Sequence, residues 1–235
     1  MKLKEVMAAL KAKGSESIKR IFMKHGAREP FYGVKVGDMK PIAKQIKGDQ
    51  ALALELYATG NGDAQYLAGM VANGRQMTPK QLQTWAETAT WDMISGNTVP
   101  WVASEHPEGF ALAVKWTKAK DEQILRAGWT TLGAIAATVP DADLPIAEYG
   151  RLLNRVVKEM PKAPDGARYS MNNFVIMVGS YVAPLAAKAM AAAKQIGPVE
   201  IDMGDTSCKV PLAEEYILKA RRGAPVAPKR KTMRC

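Results

Sequence analysis

At 235 residues, 47% hydrophobic and 24% charged, the chain has the composition of an ordinary soluble protein long enough to bury a substantial core. Two cysteines without paired spacing exclude a disulfide framework and a zinc cluster, and no apolar run approaches the ~18 residues a membrane span requires. The net charge of +10 points to a polyanionic partner; six of those charges lie in residues 221–235, which hold no acid, leaving +4 for residues 1–220.

The opening MKLKEVMAALKAKG is interrupted by Glu5, Lys11 and Lys13, so it lacks the apolar core of a signal peptide, and a cytoplasmic location is expected. Residues 2–13 space Leu3, Val6, Met7 and Leu10 three and four apart, which predicts a helix ended by Gly14. A second helix starts at Ser15 with Ile18, Ile21 and Phe22 on its apolar side and closes at Gly26. Pro30 and Gly33 mark a loop, and a third helix from about Asp38 turns Met39, Ile42, Ala43 and Ile46 inward. Two short helices follow at 51–59 and 63–74. Thr78-Pro79 then signals a helix start, with threonine as cap and proline in the first turn, where its missing N–H costs nothing.

Pro100, Pro107 and Pro140 punctuate predicted helices at about 91–105, 107–117 and 121–138. Further helices are predicted at 145–159, 166–182 and 184–196, and a last one from about Pro211 to Arg222. The single strand-like pattern is the alternation of Val199, Ile201 and Met203, which predicts a short extended segment near 199–210. Residues 223–235, rich in Pro, Lys and Arg, are expected to form a basic disordered tail behind one domain over 1–222. Eleven to thirteen helices joined by short loops give an all-α class. Stacked antiparallel pairs forming an α-solenoid of degenerate repeats are favoured over a globular bundle.

Chemistry concentrates between Trp85 and Trp101, where three of the five tryptophans lie and Asp92 directly follows Trp91. A carboxylate beside aromatic rings in a basic chain suits a cationic base on nucleic acid. Lys35, Lys40, Lys44 and Lys47 form one basic face, and Arg126 stands among apolar neighbours. Tyr169, Asn172 and Asn173 make a polar patch able to line a concave face. His25 and His106 are isolated, so no metal site is expected, and no cofactor is implied. Cys208 reads as structural, and Gly33 and Gly204 as turn residues.

With GVKVGDMKPIAKQI at 33–46, Trp91-Asp92 and the Arg126 helix, the chain resembles the AlkD-like DNA alkylation repair family, as a divergent member. The resemblance implies a HEAT-like helical repeat fold over most of 1–195 and a basic cradle for double-stranded DNA. It also implies excision of purines alkylated at N3 or N7, in which aromatic faces attract the cationic base and a carboxylate stabilises the developing charge on the sugar. An arginine holds the phosphate. Trp91 and Arg126 match the family pattern. The carboxylate belongs four residues after that tryptophan, where this chain has Ser95; the second aromatic belongs on the 166–182 helix, near Met177. The sequence therefore supports a DNA glycosylase using Trp91 and Asp92, a non-catalytic DNA-binding relative, and a protein-interaction scaffold. Double-stranded DNA, alkylated or not, bound by a monomer is the leading expectation.

Overall fold

The structure, a computed structural model, describes residues 1–202 and 208–234. Among them there are thirteen α-helices and no strand, in agreement with the all-α expectation. In chain order they are α1 (Leu3–Lys13), α2 (Glu16–Lys24), α3 (Val36–Gln45), α4 (Gln50–Ala58), α5 (Gly62–Val71), α6 (Pro79–Glu87) and α7 (Val99–Ala103). Then follow α8 (Gly109–Trp116), α9 (Glu122–Thr138), α10 (Ile146–Glu159), α11 (Asp165–Tyr181), α12 (Ala186–Ile196) and α13 (Ala213–Arg221). The described residues divide within α8 into two compact units: the first holds Met1–Leu112 with Arg234, the second the described residues of 113–233.

Local chemistry sets the helix starts. Thr78 and Gln81 form a reciprocal capping box at α6, Asn61 accepts from the Asp63 and Ala64 amides at α5, and Asp121 accepts from Gln123 and Ile124 at α9. In the first unit α5 is central, buried on nearly all sides, with α3 and α7 beside it and α4 packed along it. Tyr57 and Trp85 stack nearly parallel, ring centroids 3.9 Å apart, and the Tyr57 hydroxyl donates to the Trp85 carbonyl at 2.6 Å.

The second unit forms two rows, α9–α11–α13 and α10–α12. Its core is the run Trp129–Phe174–Tyr149, with centroids 5.2 and 5.9 Å apart and each residue fully buried. α9 approaches the end of α8 so closely that a Cβ on Gly128 would sit 2.7 Å from the Thr117 amide nitrogen, so only glycine fits there.

Val199 to Asp202 form neither helix nor strand, and Met203, with Gly204, lies outside the described residues. The basic C-terminal segment is docked rather than disordered. The Ala227 and Arg230 amides donate to the Ser180 and Ala137 carbonyls at 2.7 and 2.8 Å. Lys229 Nζ donates to the Ala136 carbonyl at 2.7 Å and pairs with Asp141 at 2.8 Å. Arg221 holds α13 down through the carbonyls of Gly179 and Ala186. In the first unit, Arg234 grips Glu105 with two bonds of 3.0 and 2.5 Å. Composition alone read these cations as a solvated arm, because it does not register the carbonyls and carboxylates waiting for them. Lys229→Ala is accordingly expected to lower unfolding free energy by about 1 kcal/mol in urea denaturation and to leave DNA affinity unchanged.

Candidate nucleic-acid interface

Trp91 lies at the bend before a helical turn that starts at Asp92. It is buried, and its ring is tilted against Phe22 at 5.4 Å, which in turn stacks with Phe31 at 6.4 Å. The indole nitrogen faces the Gly62 Cα, where an added Cβ would come within 3.3 Å. The first aromatic of the expected pattern is thus part of a three-ring cluster. It is not an open platform for a base.

After Asp92 and Met93 the chain makes a π-helical turn, Ile94–Thr98, before α7. A π-turn holds one residue more than an α-turn, so residues beyond it rotate relative to a count at α spacing. Ser95, where the family pattern puts a carboxylate, is fully buried, and its hydroxyl lies 3.4 Å from the Asp92 carbonyl. From Ile94 through Ala103 only Gly96 and Asn97 keep partial exposure; Asp92 and Met93, just before, are half-exposed.

The same unit contains a carboxylate overlooked in the sequence. Asp63, 3% exposed in the first turn of α5, accepts the backbone N–H groups of Tyr32, Gly33 and Val34 at 2.5, 3.1 and 3.0 Å. Burial pushes its pKa up, against the three amide bonds and Lys19, which pull it down. It fixes the loop that leads to Lys35, just before α3. Lys35, Lys40, Lys44 and Lys47 are all exposed, as a phosphate-contacting face requires.

In the second unit Arg126 is half-buried on α9, with its guanidinium against the first turn of α11. A Cβ on Gly166 would lie 2.1 Å from Arg126 Nη2, and Glu122, one turn before Arg126, accepts the Gly166 amide at 2.6 Å. Glycine at 166 therefore makes room for the arginine, and Glu122 supplies the negative charge that the helix N-terminus and the guanidinium both favour. Tyr169 and Asn173, one turn apart on α11, are half-exposed, as is Met177 one turn further on. Met177 packs on Gly133 of α9. No aromatic takes the place that the resemblance reserved for one. Asn172 is corrected: it is fully buried, and its side-chain amide donates to the Pro211 carbonyl at 2.8 Å, which pins the chain before α13 and leaves nothing for DNA.

Comparison with known proteins identifies the family. The family model described as DNA alkylation repair enzyme matches residues 6–198. Uncharacterized proteins of Listeria innocua and Listeria monocytogenes are 33% and 32% identical over 208 residues, covering 86% of this chain and 89% of each relative. A solved structure matches at TM-score 0.90 and 36% identity over 100% of both chains. It is described as a new family of proteins related to the HEAT-like repeat DNA glycosylases with affinity for branched DNA structures. A match over most of the length makes this chain a member of the DNA alkylation repair enzyme family, with a HEAT-like helical fold.

Proposed function

We propose that this protein binds DNA at branch points through phosphate contacts on its duplex arms and does not break the glycosidic bond. The observation that carries this reading is that the residues of the family pattern fare differently in the two units. Arg126 is kept and seated between Glu122 and Gly166, whereas the carboxylate position is a fully buried serine. Base excision needs a charge-stabilising group beside the sugar, and a buried hydroxyl near the Asp92 carbonyl supplies none. Phosphate binding needs only cations that reach solvent, and Lys35, Lys40, Lys44 and Lys47 do. The affinity for branched DNA ascribed to a relative 36% identical along the whole chain supports the same reading.

The test compares binding to a four-way junction and to linear duplex across a salt series, with base release from duplex containing N7-methylguanine measured in parallel. Tighter binding to the junction and no release are expected. Arg126→Ala should weaken binding by about 1–3 kcal/mol and flatten the salt dependence by about one phosphate contact. The glycosylase alternative rests on Asp92, half-exposed beside Trp91. Base release that disappears in Asp92→Asn would establish it and overturn the non-excising reading.

A further inference from the structure

Helix α2 has a composition that its packing does not explain. Its sequence ESIKRIFMK is strongly amphipathic, yet not one of its residues is buried. Ile21 is 48% exposed and Met23 53%, two of the few large apolar side chains so placed among the described residues. Phe22, between them, is half-exposed and is the outer ring of the stack on Phe31 and Trp91. The apolar tip is thus braced from behind by aromatic rings, while its flanks stay open to solvent.

Within residues 20–28 no side chain is acidic. Arg20, Lys24 and Arg28 are exposed, and Lys19 is drawn back to Glu29 and over the Phe31 ring. The acids of the segment, Glu16 and Glu29, sit at its start and in the following loop, and Glu29 is already paired with Lys19. A protein groove that receives an apolar helix face has no need of a basic rim. A ligand with apolar faces framed by phosphates does. An intact duplex hides its base-pair faces within the stack, but at a branch point the terminal pairs of each arm lose a stacking neighbour and their faces open to solvent. Proteins that insert isoleucine, methionine or phenylalanine against base steps place such wedges between arginines and lysines.

We infer that Ile21 and Met23, braced by the Phe22 ring between them, form a wedge that stacks on the exposed base pairs at a DNA branch, with Arg20, Lys24 and Arg28 on the flanking phosphates. This assignment rests on the DNA-binding reading above and adds to it the element that distinguishes a branch from a duplex. Because Ile21 and Met23 reach solvent, Ile21→Ser/Met23→Ser removes the wedge without opening the core.

The test uses the full chain and the double variant with a four-way junction that carries 2-aminopurine beside the crossover, and with linear duplex. The intact protein should change the 2-aminopurine fluorescence on binding the junction. The double variant should lose that change and bind the junction about tenfold more weakly, with duplex affinity unaltered. A double variant that keeps its junction preference and its fluorescence change would overturn the wedge while leaving branch binding intact. An intact protein that does not prefer the junction would overturn the binding reading itself. A dimer in sedimentation that the double variant dissolves would assign the face to a second copy of the chain and overturn the wedge.

Discussion

Trp129→Ala should lower unfolding free energy by about 3–5 kcal/mol, the largest loss expected from any single substitution considered. Trp129 is fully buried, lies 5.2 Å from Phe174 and has the Arg155 guanidinium 5.3 Å from its ring. Arg155 is fixed on its other side by the Thr117 hydroxyl and carbonyl and by Glu159. Removing the ring therefore opens a gap beside a cation held in place by its own hydrogen bonds, which limits how far the core can close. Trp129→Phe should lose much less. The indole N–H is buried without an acceptor among the described residues, so its removal breaks no hydrogen bond. Urea denaturation followed by circular dichroism measures both. A loss under about 1 kcal/mol for the alanine variant would mean that the neighbours collapse into the space.

The second large effect belongs to Asp63→Ala, expected to cost about 2–4 kcal/mol because three backbone amides lose one shared, charged acceptor. Asp63→Asn keeps an acceptor oxygen in place and should cost about half as much. The pH dependence has a definite sign. Burial raises the folded pKa of Asp63 above that of the unfolded chain, so between the two values the folded state holds the extra proton. The contribution of Asp63 is then fully present below the ordinary carboxylate range and declines as pH rises through the elevated value. The difference in unfolding free energy between the natural protein and Asp63→Asn should shrink as pH rises from the ordinary carboxylate range through the elevated folded value. A difference that grows over that interval would show that the amide bonds outweigh burial. Asp165 behaves oppositely. Its pKa is lowered first by the Asp202 amide and then by Arg168, so what it contributes is lost as pH falls.

Much of the fold is written in local sequence. The capping box at Thr78, the apolar stripe of α9 and the proline stops require only neighbouring residues, and most helices form where period and caps indicate; the helix expected at about 91–105 is instead a π-turn followed by the short α7. Periodicity identifies an apolar face but not what covers it, which is why α2 reads as a core helix and lies uncovered. Asp63 reads as a helix N-terminal charge, since its amide partners are about thirty residues back in the chain. Asn172 reads as a surface amide for the same reason, its acceptor being thirty-nine residues ahead. Trp91 and Arg126 stand out in the sequence, but their roles come only from the family resemblance, because a tryptophan or an arginine beside a helix has many structural uses.

The π-turn at Ile94–Thr98 also bears on how this branch of the family can change in evolution. Restoring the missing carboxylate by one substitution at Ser95 would place a charge where the residue has no exposure, a state that either neutralises itself or unfolds its surroundings. Gly96 and Asn97 are the neighbouring positions that reach solvent, but a side chain there leaves the helix at a different angle from one at α spacing. A solvent-facing carboxylate at this point of the chain therefore requires a change in the course of the backbone as well as in the side chain, and the π-turn couples the two.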